Sequence, residues 1–133
     1  RGARIAPIIC FDWVFPELTR LLALKGVEII CHPSNLVLPF AQEVMKARAI
    51  ENRVFTITAN RVGTEARNGR ELCFTGQSQV VRPNMTVLLR ANKTEEAIKT
   101  CQIQVNEARD KNITDFNHLF HDRRTDLYTL TEK

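Results

Sequence analysis

The residues with the clearest chemical potential lie in the stretch IICFDWVFPE at 8–17. Within it, Cys10 stands where an apolar run gives way to an acid, aromatic residues and Pro16, a residue type that favours the first position of a helix. A cysteine at a strand-to-helix turn can act as a nucleophile, because the N-terminus of a helix stabilises a thiolate. An unpaired cysteine can equally be a small buried hydrophobe. The sequence around Cys10 leaves both interpretations open.

The predicted elements place Cys10 between a strand and a helix. The almost wholly apolar segment 4–9 predicts a short buried strand, in which Pro7 indicates an edge or a bulge. Pro16 begins a predicted helix. VEIICHP at 27–33 predicts a second strand that is stopped by Pro33. Strand, helix and strand in this order form a βαβ unit, which implies parallel strands with a helix packed on the sheet.

A further helix and strand are expected before the chain becomes polar. Residues 42–53 predict a helix with Met45 and Ala49 facing inward. Residues 54–60 are rich in β-branched side chains and predict a strand. The polar stretch 61–72 is interpreted as a surface connection.

The second half of the chain is expected to be antiparallel. Three strands are predicted at 77–82, 86–91 and 97–105. The first turn between them contains Asn84, for which a left-handed backbone is predicted. From Asn106 onward the chain is polar, with one short helix.

The amino-acid composition limits the classes of protein to which this chain can belong. The chain has 133 residues, of which 44% are hydrophobic and 26% charged, as in a soluble globular domain. No apolar run approaches the roughly 20 residues that span a bilayer. The N-terminus lacks the pattern of a signal peptide, in which basic residues are followed by an apolar stretch. A cytoplasmic location without a membrane partner is therefore expected.

Charge and cysteine spacing argue against two other classes. The net charge is +4, but the densest basic pair, Arg123 and Arg124, is flanked by acids, so no nucleic-acid partner is expected. The four cysteines form no CxxC pair, and the three histidines complete no zinc spacing. No metal site is therefore predicted.

An ordered series of motifs resembles the carbon–nitrogen hydrolase (nitrilase) superfamily. The series covers nearly the whole chain, which makes it far more specific than a short cysteine motif. Its parts are GARIAPIICFDWVFPELTRLLALKGVEIICHPSN at 2–35, ARAIENRVFTITANRVG at 47–63, FTGQSQVVRPN at 74–84, the EE pair at 95–96 and DRRTDLY at 122–128.

The resemblance implies an α/β fold, as the C-terminal half of a four-layer α-β-β-α sandwich. Residues 1–133 would be the C-terminal portion of a single hydrolase domain, with its N-terminal portion absent from this chain. The expected reaction is hydrolysis of a non-peptide C–N bond in a small amide, nitrile or carbamoyl compound, without a cofactor or metal. The resemblance also implies a homo-oligomer, assembled partly through segments such as 121–128.

The family uses a glutamate, a lysine and a cysteine, and Cys10 matches the cysteine. The glutamate and the lysine belong to the preceding half of the domain, and Glu17 and Lys25 do not match their motifs. The Phe11 N–H is the expected backbone donor to the oxyanion of a tetrahedral intermediate. Asp12 is interpreted either as a residue that holds the turn or touches substrate, or as an acid favoured by a helix N-terminus.

Two further residues are candidate substrate contacts. Trp13 can line the pocket or simply pack in the core. Asn35 follows the second strand, at the sheet edge where α/β proteins place ligand loops. His32, at the same edge, is interpreted as structural more readily than as catalytic.

The remaining polar and sulfur side chains receive mainly structural interpretations. The ENR and ANR runs, at 51–53 and 59–61, can form a solvated face or a partly buried network that supports the turn. Cys31, Cys73 and Cys101 are expected to be inert core thiols.

A second function class remains open at this point. Because the chain lacks the glutamate and lysine of the family, it can also be an inactive half of a hydrolase that acts as a folding or oligomerisation module.

Overall fold

A five-stranded sheet and three helices organise the part of the chain that the structure describes. The computed structural model describes residues 2–130, without the side chain of Arg67. The helices are α1 (Pro16–Leu24), α2 (Ala41–Asn52) and α3 (Asn106–Arg109), and Cys10–Val14 form a 3-10 turn. The strands are β1 (Ile5–Pro7), β2 (Ile29–Ser34), β3 (Phe55–Asn60), β4 (Thr64–Arg67), β5 (Arg70–Cys73), β6 (Gln79–Val81), β7 (Val87–Arg90), β8 (Asn112–Thr114) and β9 (Asn117–His118).

The strand order of the main sheet is β1-β2-β3-β6-β7. β1, β2 and β3 are parallel, whereas β6 and β7 join in antiparallel fashion. The predicted βαβ unit is therefore confirmed. In the described part of the chain, β1 is an edge strand, which suits Pro7 because proline cannot donate to a second neighbour.

Helices α1 and α2 cover one face of the sheet. Side chains alternate between the two faces of a strand, so Ile30 of β2 points towards the helices. It packs there with Ala23, Met45 and Val54, all of which are almost fully buried. Ala49 is also buried, so the predicted inward positions of α2 are confirmed.

The opposite face of the sheet is only partly covered. Ile29 and Phe55 are buried beneath Ala108 of α3, while Cys31 lies at the margin of this cluster. On the edge strand, Ile5 is 59% exposed. The sheet thus has one face filled by helices and another that keeps apolar surface in contact with solvent.

Two expectations about strands are wrong in detail. Pro33 does not stop β2, which continues to Ser34. The Cys31 carbonyl accepts from the Ile8 N–H on the β1 side, and residues two apart along a strand point the same way. The Pro33 nitrogen therefore faces the side on which β1 has already ended, so its missing N–H costs no ladder bond.

The strand predicted at 97–105 is absent, because the segment has no strand neighbour among the described residues. Its apolar side chains are used in another way. Ile103 and Val105 pack on the cluster around Ile29 and Phe55, whereas Ile98 is fully exposed. The alternating pattern thus reflects packing onto a sheet face and not backbone pairing.

The polar stretch 61–72 contains more structure than predicted. It forms most of an exposed hairpin, β4 and β5, around Asn68 and Gly69. Both residues have positive φ, 52° and 73°, which is typical of the Asn-Gly hairpin turn.

The left-handed residue of the next turn is Met85, with φ 72°, and not Asn84. The Asn84 side chain instead accepts a hydrogen bond from the Thr86 N–H at 3.1 Å. This local bond stabilises the turn without a positive φ at asparagine.

Two of the expected core thiols lie at the surface. Cys73 ends the exposed strand β5, and Cys101 belongs to the unpaired segment 97–105, so both are exposed. Cys31 is half-buried, and burial raises the pKa of its thiol. Within residues 2–130, no helix is long and apolar enough to cross a membrane.

Candidate active site

Cys10 has a backbone conformation that non-glycine residues rarely adopt. It directly follows the extended residue Ile9 and is the first residue of the 3-10 turn, with φ 45°. A left-handed conformation costs an L-residue about 1–2 kcal/mol. Such strain persists only where the surroundings hold it, and it is concentrated at functional sites.

The turn is held on its N-terminal side by Asp12. The Asp12 carboxylate accepts from the Ile9 N–H at 2.7 Å, and the Asp12 N–H donates to the Ile9 carbonyl at 3.0 Å. Of the two interpretations of Asp12, the geometry therefore favours the one in which it holds the turn.

His32 contacts the turn from the neighbouring strand. Its Nε2 lies 2.7 Å from the Cys10 carbonyl oxygen, and its Nδ1 lies 3.2 Å from the Thr58 hydroxyl. The side chain is completely buried. Burial lowers the pKa of His32, while the bond to the Cys10 carbonyl and the charge of Asp12 act in the opposite direction.

Arg48 holds the C-terminal side of the turn. Its guanidinium donates from Nε to the Trp13 carbonyl at 3.2 Å and from Nη2 to the Val14 carbonyl at 3.4 Å. It also pairs with Glu51 at 2.9 Å. Glu51, the first residue of the ENR run, therefore supports the turn only indirectly, through its pair with Arg48, which lies outside that run.

Sequence reasoning missed Arg48 as a supporting residue. An Arg and a Glu three apart on a helix indicate an ordinary surface pair. The atoms that Arg48 binds are backbone carbonyls, which carry no sequence signal. Only the packing of α2 against the turn reveals the contact.

Cys10, Phe11, Trp13 and Asn35 line one small cavity of about 80 Å³. The structure thus brings together all but one of the predicted site residues, and the exception, Asp12, holds the turn beneath them. Trp13 is buried in the core and also lines this cavity, so its two interpretations are compatible. Asn35 and Phe11 are exposed.

The far wall of the cavity is a loop, 35–38, that the end of β3 holds in place. The Asn60 side-chain oxygen accepts from the Leu36 N–H at 2.8 Å. Its nitrogen donates to the Gly76 carbonyl at 2.7 Å and to the Thr75 hydroxyl at 2.9 Å. The ANR run thus contributes one residue, Asn60, to the architecture of the site.

The two arginines of these runs lie elsewhere. Arg61 forms a surface pair with Glu65, and Arg53 binds the Asp110 carbonyl. A cavity of about 390 Å³ lies beside the end of β3 and includes Glu95 and Glu96, but none of the predicted site residues.

The Cys10 cavity is lined by one thiol residue, one amide residue and otherwise aromatic and aliphatic residues. Within residues 2–130, no glutamate or lysine lines it, and Glu17 and Lys25 are exposed residues of α1 and its end. The same residues contain no group of three or more His, Cys, Asp or Glu side chains that could hold a metal ion.

Comparison with known proteins places this geometry in a family. The family model described as carbon-nitrogen hydrolase matches residues 1–112. A curated relative, the nitrilase of Pyrococcus abyssi (strain GE5 / Orsay), is 46% identical over 125 residues, which are 94% of this chain and 46% of the relative.

Solved structures agree with this assignment. The carbon-nitrogen hydrolase from Helicobacter pylori G27 has a TM-score of 0.82 at 28% identity, over 95% of this chain and 48% of its own. A mutant of the amidase from Nesterenkonia sp. AN1, with acrylamide added at its active-site cysteine, has a TM-score of 0.62 at 31% identity. That match covers 71% of this chain and 37% of the amidase.

The chain belongs to the carbon–nitrogen hydrolase family, as its motifs predicted. The α/β fold class implied by the resemblance is confirmed as well. The chain spans about half the length of the curated relatives that it matches.

Proposed function

We propose that this chain carries the nucleophile and one wall of the pocket of an amidase-like hydrolase. The observation that carries the proposal is the position of Cys10. This strained residue follows the parallel strand β1 and lines the cavity together with Phe11, Trp13 and Asn35. Cys10 is half-buried and borders this cavity, so a substrate bound there would lie beside the thiol.

In the proposed reaction, the Cys10 sulfur attacks the carbonyl carbon of an amide while a base takes the thiol proton. The S–C bond forms, and the carbonyl oxygen carries the negative charge of the tetrahedral intermediate. The C–N bond then breaks, and the base returns the proton to the leaving amine. Water hydrolyses the thioester, which releases the acid and restores the thiol.

The Phe11 N–H is the proposed backbone donor to the oxyanion. It lies in the first turn of the 3-10 segment, where N–H groups have no partner within the helix. Loss of one such donor typically slows catalysis about 100- to 1000-fold. We propose that Trp13 and Asn35 contact the substrate from the cavity wall.

The base and a second oxyanion donor are proposed to come from a preceding portion of the same domain, of which residues 1–133 form the C-terminal part. Three observations support this arrangement. The chain spans about half the length of its curated relatives. Within the described residues, no Glu or Lys lines the cavity. The sheet face beside Ile5 keeps apolar surface exposed, as a second sheet layer requires.

The test compares Cys10→Ala with Cys101→Ala in the protein purified from its source organism or expressed as its complete gene product. Release of ammonia or amine is measured with small amides, nitriles and N-carbamoyl amines. Cys10→Ala abolishes turnover and keeps the circular dichroism spectrum, whereas Cys101→Ala, at an exposed site, retains the rate. Turnover by Cys10→Ala at the unaltered rate contradicts the proposal.

A second candidate function is that of an inactive half that only folds or assembles with a partner. The lack of Glu and Lys around the described cavity favours it for this chain alone. Iodoacetamide labelling separates the two, with the exposed Cys101 of the same molecule as internal reference. In the complete protein, Cys10 reacts faster than Cys101 if it is an activated nucleophile. Equal rates, together with absence of turnover, favour the inactive module.

A further inference from the structure

We infer that His32 is a positioning residue that orients the peptide group between Cys10 and Phe11. The inference rests on the proposed function, since it concerns the nucleophile and the oxyanion donor named there. His32, a buried residue of β2, would align the Cys10 thiol and the Phe11 N–H through one hydrogen bond to the Cys10 carbonyl.

Strand register brings His32 beneath the turn. Pro7 of β1 pairs with Cys31 of β2, so His32 stands one residue further along β2, at the level where β1 runs into the turn. On its other side, His32 is the register partner of Thr58 in β3. The imidazole is thereby fixed between a backbone carbonyl and a hydroxyl.

The two contacts define the tautomer of His32. A carbonyl oxygen only accepts hydrogen bonds, so the Nε2 that lies 2.7 Å from the Cys10 oxygen must carry the proton. In the neutral ring, Nδ1 is then an acceptor, and the Thr58 hydroxyl at 3.2 Å donates to it. Complete burial favours the neutral ring.

The hydrogen bond from His32 orients the whole peptide group to which the Cys10 carbonyl belongs. A trans peptide group is planar, and its C=O and N–H point in opposite directions. When His32 holds the Cys10 carbonyl, it also directs the Phe11 N–H away from the strand β2. The same bond stabilises the left-handed conformation of Cys10, which has φ 45°. One side chain that is not part of the cavity lining therefore aligns both the nucleophile and the oxyanion donor.

Two variants separate this role from simple filling of the core. His32→Gln places an amide nitrogen near the position of Nε2 and keeps the donor to the Cys10 carbonyl. His32→Asn places its amide near the position of Nδ1, which is too far from that carbonyl. Both variants replace the ring with a neutral amide, so the comparison isolates the donor.

Three measurements are made on the complete protein. Steady-state kinetics with an amide substrate should show kcat reduced at least about tenfold in His32→Asn with KM within about twofold, because a misdirected oxyanion donor weakens mainly the transition state. His32→Gln should recover kcat to within about threefold of the unaltered protein. Iodoacetamide labelling of Cys10 against Cys101 should follow the same order, and it needs no turnover. Nitrogen-15 NMR of the unaltered protein should show the His32 proton on Nε2.

Each outcome decides the inference. Recovery by Gln but not by Asn, with the proton on Nε2, supports it. Equal loss in both variants, an unaltered rate in His32→Asn, or a proton on Nδ1 of the neutral ring overturns it. If neither variant folds, the NMR assignment on the unaltered protein still decides. Failure of the proposed function is recognised separately, by turnover in Cys10→Ala.

Discussion

The side-chain oxygen of Asn60 lies 2.8 Å from the backbone nitrogen of Leu36, so the end of β3 fixes the loop that borders the Cys10 cavity. The same amide donates to the Gly76 carbonyl and the Thr75 hydroxyl. One side chain thus satisfies groups from two loops that are distant in sequence. The position of this cavity wall therefore depends on the end of β3 as well as on the loop itself.

Asn60→Leu is expected to destabilise the protein by about 1–3 kcal/mol, because it leaves the Leu36 N–H without its acceptor and removes one of two donors to the Gly76 carbonyl, which keeps its bond from Gln42. The free energy of unfolding, from urea denaturation, measures the effect. Asn35→Leu, at an exposed site, provides the matched control and should change stability by less than about 0.5 kcal/mol. Similar values for the two variants would show that the Asn60 bonds are unimportant for stability.

Gly76→Ala is expected to be severely destabilising. A Cβ at this position would lie 2.2 Å from the Lys93 carbonyl oxygen, and the backbone is left-handed with φ 57°. Gly69→Ala shares the positive φ but meets nothing within 4 Å, so it should cost only about 1–2 kcal/mol. Thermal denaturation of the pair separates the clash from the backbone strain. Equal melting temperatures would contradict the close approach of Lys93.

Arg48→Met is expected to destabilise the protein by about 1–3 kcal/mol, since it removes the donor to the Trp13 and Val14 carbonyls and the ion pair with Glu51, which keeps only a long hydrogen bond from Asn52. Arg124→Met removes a pair with Asp126 that has a shorter distance, 2.6 Å, but is exposed on both sides. That control should change stability by less than about 0.5 kcal/mol. Denaturant unfolding of both variants tests whether burial, and not distance, decides how much each ion pair contributes to the free energy of unfolding.

Acid should weaken the fold through His32. Burial lowers its pKa in the folded state, whereas the unfolded chain has the ordinary value of about 6.5. As the pH falls through about 6.5, the unfolded state takes up a proton that the folded state refuses, so the free energy of unfolding decreases. The decrease ends once the pH lies below the folded-state pKa as well.

Urea midpoints measured between pH 5 and pH 8 test this prediction. His32→Gln should remove part of the pH dependence, because glutamine does not titrate. An identical slope in His32→Gln would exclude His32 as its source.

Much of the fold was predictable because its signals are local. Pro16 at the start of α1, the apolar runs of β1 and β2 and their short separation defined a parallel unit with Cys10 at its turn. The motif order indicated the family, and the comparisons confirm it. Asn35 could be named because it follows a strand end, where parallel sheets bring loops together. Cys10, Phe11 and Trp13 were named through the family resemblance of the motif that contains them, and all four residues line one cavity.

Local patterns misled where the tertiary partner decides the outcome. The segment 97–105 alternates like a strand, yet Ile103 packs on a sheet face and the backbone pairs with no strand of the described chain. Asn84 is a frequent left-handed residue, yet its side chain caps the turn and Met85 takes the positive φ. Cys73 and Cys101 are exposed because their segments lie outside the core.

The sequence by itself determined the order of the elements from β1 to β3 and the identity of the candidate nucleophile, since these depend on residues close together in the chain, and the order of its motifs determined the family. Only the tertiary structure decided how that nucleophile is held. The contacts from His32 to the Cys10 carbonyl and from Arg48 to the Trp13 carbonyl join residues 22 and 35 positions apart. The acceptors of these hydrogen bonds are backbone carbonyl oxygens, which every residue possesses, so no residue pattern predicts the bonds. Strand register and helix packing bring the donor and the acceptor together.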